Sequence, residues 1–174
     1  MKILTVSLLL CAMMALTTGL VPVVDTASEC PNGWTQVKHR CFLYVPKQMT
    51  WAQAENHCVL LGGHLASINS DHDVKAAWRM MKRNTKRKWL PVIWLGGSDA
   101  KKERVWLWSD GRPFNYRVLS RGNPDNKGKH QHCLVMNYGG QRRRDDLSCS
   151  TKLPFLCTRS LWDPVGRHRG MQGQ

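Results

Sequence analysis

Acidic residues are scarce in this chain of 174 residues. Twelve Asp and Glu stand against 26 Lys and Arg, a formal charge of +14. Such a balance disfavours cationic partners and favours anionic ones: sulfated sugars, nucleic acid, acidic lipid or anionic cell surfaces. Long apolar runs are also lacking. The single candidate, residues 3–16, is interrupted by Thr5 and Ser7. It falls short of the roughly 20 residues that span a bilayer, and no second run follows, so a membrane bundle is excluded. There is no C-x-x-C pair, which removes the usual zinc–thiolate spacing. No Ser–His–Asp or Cys–His arrangement has a supporting motif, so nothing reads as an enzyme. No nucleic-acid fold signature and no internal repeat are present.

What is there reads as one ordinary domain. Hydrophobic residues are 42% and charged residues 22%, close to the soluble globular average. Lys2, the short apolar run and the small residues Thr17, Thr18 and Gly19 make a secretory signal peptide over 1–19. Without it the charge is +13, from 25 basic and 12 acidic residues. Residues 20–29 read as a loose leader, 30–159 as the domain, and 160–174 as a flexible basic tail. The expected location is extracellular.

Cys11 leaves with the signal. Cys30, Cys41, Cys58, Cys133, Cys149 and Cys157 remain, an even number in a secreted chain, and imply three disulfides whose pairing spacing alone leaves open. Thr50 is a good N-cap for a helix over 51–61 that Gly62 and Gly63 end. A short strand is expected over 65–68. Ser70 and Asp73 start a second helix reaching about Lys82, with Val74, Ala77, Trp78 and Met81 on its core face. Strands are expected over 92–95, 105–108, 133–136 and 154–157, with a long polar loop over 117–132. The class is α+β.

The ordered series Cys-Pro-x-Gly-Trp (30–34), Thr50-Trp51, Gly-Gly-His-Leu-Ala-Ser-Ile (62–68), Ile-Trp-Leu-Gly (93–96), Trp-x-Trp-Ser-Asp-Gly (106–111), Asn-Pro-Asp (123–125) and Asp-Asp-Leu-Ser-Cys (145–149) resembles the C-type lectin domain family. Within it the chain resembles small secreted fish lectins and the related type II antifreeze proteins. The resemblance implies a C-type lectin-like fold of the long form, with two helices and short antiparallel strands around a long loop. It implies the pairing Cys30–Cys41, Cys58–Cys157 and Cys133–Cys149.

The resemblance also implies a calcium site on Asn123, Asp125, Gln131, Asp145 and Asp146, with Asn123, Asp125, Gln131 and Asp145 touching sugar. Calcium takes six to eight oxygen ligands, and all five side chains offer oxygen. Asn123 is one methylene shorter than the family's Glu or Gln, and Gln131 is neutral where an acid is usual. Arg144 stands where the family often has Trp, and it could pair with Asp145 or Asp146 in place of a metal. Asn-Pro-Asp is closer to the family's galactose-type Gln-Pro-Asp than to its mannose-type Glu-Pro-Asn. His130 and His132 read as two solvent-exposed histidines beside the site.

Arg79, Lys82, Arg83, Lys86, Arg87 and Lys88 form one basic cluster, Lys101, Lys102 and Arg104 a second, and Arg142, Arg143 and Arg144 a third. Few acids balance them, so anionic polysaccharide or a bacterial envelope is the expected partner there. The leading expectation is a secreted glycan-binding lectin, calcium-dependent and galactose-type, acting in recognition or innate defence. The alternatives are a calcium-independent basic protein binding anionic surfaces, and an antifreeze-like protein, which this much charge opposes.

Overall fold

The computed structural model describes residues 29–85, 89–115, 124–138 and 144–161. The expected signal segment and most of the expected leader and tail lie outside them. Among the described residues, eight strands form one mixed sheet: β1 (Thr35–Val37), β2 (Arg40–Met49), β3 (His64–Leu65), β4 (Ile93–Ser98), β5 (Leu107–Trp108), β6 (Cys133–Met136), β7 (Arg144–Leu147) and β8 (Leu153–Ser160). The main path runs β1-β2-β8-β4-β6-β7; β3 pairs with β8 and β5 with β4. Every pairing is antiparallel except β4 with β8, at Trp94 opposite Phe155. Two helices, α1 (Trp51–Leu60) and α2 (Asp71–Asn84), complete the α+β fold.

Local chemistry explains the helix starts. The Thr50 hydroxyl accepts from the Gln53 N–H at 3.4 Å, and the Gln53 side chain accepts from the Thr50 N–H at 3.2 Å. This reciprocal pair satisfies two donors that the first turn would leave unmet. Ser70 caps α2 by accepting from Asp73 N–H at 3.2 Å. Asp73 then turns inward, pairing with buried Arg40 at 2.8 Å. Arg40 donates onward to the carbonyl and hydroxyl of Ser67 at 3.0 and 2.9 Å. A buried charge held this way ties α2 to β2 and to the chain after β3. Val74, Ala76, Ala77, Met80 and Met81 bury the apolar stripe, while Trp78 is half-buried.

Four elements differ from the sequence expectation. The run 65–68 contributes only Leu65 to a strand. Its other backbone groups go to separate partners: Ala66 N–H donates to Leu156 at 2.7 Å, and Ala66 O accepts from Gly96 at 3.0 Å. β4 does not stop at its glycines but runs through them to Ser98, pairing with β5. Gly96 lies so close to the β3 chain that a Cβ there would meet Leu65 O at 2.5 Å. β5 keeps only Leu107 and Trp108, because the chain ahead of it is a turn closed by Val105 N–H to Lys102 O at 2.9 Å. β7 was not foreseen: Arg-Asp-Asp-Leu has little strand propensity. Pairing with β6, from Cys133 opposite Leu147 to Met136 opposite Arg144, overrides it.

The disulfides are Cys30–Cys41, Cys58–Cys157 and Cys133–Cys149, as the resemblance implied. Cys58–Cys157 joins α1 to β8 across 99 residues. Cys133–Cys149 clamps the β6–β7 hairpin, which carries the acid pair. Each is worth about 2–4 kcal/mol by constraining the unfolded chain. Tryptophan side chains lock the sheet. Trp51 Nε1 donates to Leu95 O at 2.8 Å, and Trp94 Nε1 donates to Met49 O at 3.0 Å.

Candidate functional site

The hairpin β6–β7 and the loop before it bring Asp125, Asp145 and Asp146 together. One carboxylate oxygen from each lies within 4.8 Å of the others. Asp125 is exposed, whereas Asp145 and Asp146 are 8% and 1% exposed. Asp146 organises the loop: its two oxygens accept from the N–H groups of Asp125 at 2.9 Å and Asn126 at 2.8 Å. Asp145 accepts from the N–H of Asp146 at 2.9 Å. Asp125 accepts from Lys127 N–H at 3.0 Å.

Burial pushes the Asp145 carboxyl up to about 6, and the charges of Asp146 and Asp125 add to that, partly offset by the N–H it accepts. Crowded carboxylates of this kind favour either a proton or a cation. The donor set is all oxygen, which fits a hard cation such as calcium.

Of the five expected ligands, the structure gathers Asp125, Asp145 and Asp146. Gln131 is half-buried on the same loop, and its N–H donates to Asn126 Oδ1 at 2.9 Å. Asn123 lies outside the described residues. Arg144 is half-buried on β7; burial lowers its pKa, against the field of Asp71 on α2. Backbone N–H groups, as described, hold the acid pair.

A second cluster was not foreseen. Asp99, Glu103 and His132 each offer a ligand atom within 4.8 Å of the others. His132 Nδ1 lies 3.0 Å from Asp99 and 3.6 Å from Glu103. His132 is thus half-buried between two acids, not one of two solvent-exposed histidines; His130 is the exposed one. The clusters are joined by Asn126, whose amide donates to Glu103 at 2.7 Å while its N–H donates to Asp146. Asn126 holds a left-handed backbone, φ 44°, which asparagine tolerates better than most residues. In the sequence only the Asp99–Glu103 spacing hints at this, and it says nothing of which loop they meet.

In the first basic cluster, Arg79, Lys82 and Arg83 are exposed on α2. Lys82 Nζ sits 5.2 Å over the Trp78 ring. Lys86, Arg87, Lys88, Arg142 and Arg143 lie outside the described residues.

Comparison with known proteins identifies the family. The family description "Lectin C-type domain" matches residues 47–159. The chain is 34% identical to ladderlectin of Oncorhynchus mykiss over 88% of this chain and 92% of that protein. It is 37% identical to the galactose-specific lectin nattectin of Thalassophryne nattereri, over 77% of this chain and 82% of that protein. The structure of herring type II antifreeze protein superposes with a TM-score of 0.69 at 28% identity, over 76% of this chain and all of that one.

Proposed function

Because this chain belongs to the C-type lectin family, we propose that it is a secreted lectin that holds galactose-type sugars through calcium at the loop end of the sheet. The observation that carries this reading is the convergence of Asp125, Asp145 and Asp146 within 4.8 Å. Asp146 fixes the loop, and Asp125 and Asp145 are the acids left to bind; Gln131 and Asn123 would complete the set. Calcium would supply the charge that such a carboxylate group needs, and open positions for sugar hydroxyls. Asn-Pro-Asp at 123–125 and the galactose-specific relative both favour galactose. No helix among the described residues is long and apolar enough to cross a membrane.

The test is retention of the mature protein on immobilised galactose at elevated salt, with calcium and then with chelator. Retention that the chelator abolishes is the expected result. Retention that survives the chelator, or none at all, removes this reading. A second reading, binding of anionic polysaccharide or a bacterial envelope, is favoured by the basic residues of α2. Among the described residues, Arg79 and Arg83 form no ion pair. The likeness to an antifreeze fold leaves an ice-binding reading, and ice-growth assays are expected to show no inhibition.

A further inference from the structure

A groove of about 380 Å³ opens between β1 and α2. Lys38, Arg79 and Arg83 edge it together with His72, over a floor that includes Ala76 and Met80. His72, Ala76, Arg79 or Met80, and Arg83 recur every three or four residues, so they share one face of α2. Lys38 comes from the two-residue turn between β1 and β2. The three cations are exposed, and among the described residues none forms an ion pair. Among the described residues no acid lines the groove. On the same helix, Asp73 is committed to Arg40 at 2.8 Å.

A backbone feature points the same way. Lys38 holds φ 55°, a left-handed conformation that glycine or asparagine adopts more easily at a hairpin turn. Lysine occupies this strained position, and strain of this kind concentrates at functional sites.

We propose that this groove is a second binding site, separate from the calcium cluster, for a sulfated polysaccharide chain. It rests on the anionic-partner reading and gives that reading a location. The guanidinium forks of Arg79 and Arg83 suit the oxygens of sulfate esters, which stay ionised at every physiological pH. About 6 Å separates them along the helix axis, a spacing that favours repeated anions on a chain over one small ion. The apolar floor accepts the C–H face of the sugar ring. A rigid helix and hairpin present the cations, so little ordering accompanies binding.

The experiment uses the mature, disulfide-intact protein and immobilised heparin as the probe, with chemically desulfated heparin and phosphatidylserine vesicles as parallel arms. K38Q/R79Q/R83Q is compared with K47Q/K101Q/K102Q, which removes the same charge from exposed positions elsewhere. The expected result is about a tenfold or greater loss of heparin affinity in the groove variant, as three weak surface pairs add up. The control variant should lose less than about threefold. Desulfated heparin and vesicles should bind weakly, and similarly in all three proteins. Equal losses in the two variants overturn the groove while leaving the anionic reading intact. Equal binding of desulfated heparin, or vesicle binding that the groove variant alone loses, also overturns the sulfated ligand. If the unaltered protein fails to bind heparin at low ionic strength, both the anionic reading and the groove fall. K38G is a further check on folding. It should be at least as stable to heat as the parent, yet elute from heparin at lower salt. Elution unchanged in K38G argues against Lys38 at the site.

Discussion

The loop end of the sheet and the groove on α2 treat charge in opposite ways. Five of the twelve acids, Asp99, Glu103, Asp125, Asp145 and Asp146, meet in two clusters bridged by Asn126. Around the groove the cations stand exposed and separate, in a chain with more than twice as many basic as acidic residues. Asp99, Asp145 and Asp146 are buried and each accepts a backbone N–H, so their repulsion cannot relax by side-chain motion, while Asp125 and Glu103 stand exposed beside them. The cations are solvated, and salt screens them over about 8 Å at physiological strength. One region has the crowded carboxylates that suit a fixed ion at short range. The other is suited to a flexible polyanion whose attraction depends on ionic strength.

The contrast can be broken most severely at Asp146. Asp146→Ala removes the acceptor for both loop N–H groups. Calcium-dependent retention on galactose should fall at least about 100-fold, because leaving two such groups unpaired costs about 3 kcal/mol. Isothermal titration with calcium and with galactose measures it, and unchanged affinity would show that the loop is positioned by other contacts.

Asp145→Asn tests the crowding itself. A carboxyl whose folded pKa is raised from 3.8 to about 6 binds more protons folded than unfolded between those values. In the metal-free protein, stability from this group therefore falls as pH rises through that window. Asparagine keeps an oxygen for the Asp146 N–H and loses the charge. The metal-free variant should melt higher than the parent at pH 7.5 and similarly at pH 4, and its response to calcium should shrink. Thermal unfolding in chelator across pH 4 to 7.5 measures this. A pH slope identical in parent and variant would sink the assignment.

Ionic strength sharpens the comparison further. Raising NaCl to about 1 M, where the Debye length is about 3 Å, should release heparin and spare a coordinated sugar. Paired column elutions read both at once, and release of both ligands together would mean that the loop end also binds by diffuse charge. The smallest effect is expected for K38G, where relief of the left-handed strain should raise stability by no more than about 1 kcal/mol. Denaturant melts measure it; a loss of stability would mean the lysine side chain supports the turn.

Much of the frame was legible in residue order. Thr50 and Ser70 begin helices because their hydroxyls satisfy first-turn donors. The disulfide pairing followed from the resemblance. The acid pair Asp145–Asp146 was visible as candidate ligands but not as a strand, since Arg-Asp-Asp-Leu has no strand preference of its own. His132 reads as exposed because its loop is polar and its acidic partners are distant in sequence. Its partners Asp99 and Glu103 lie 33 and 29 positions away.

Composition and local pattern set the charge, the helix caps, the apolar stripe of α2 and the number of cysteines, because each depends on a residue and its near neighbours. Folding decided which charges meet. Asp125 reaches Asp146 across 21 residues, and Lys38 reaches the α2 cations across more than 40 positions. Such contacts exist only once the β6–β7 hairpin is clamped and α2 is docked on β1 and β2. No local preference encodes them, since the energy that brings like charges together comes from the core packed beneath.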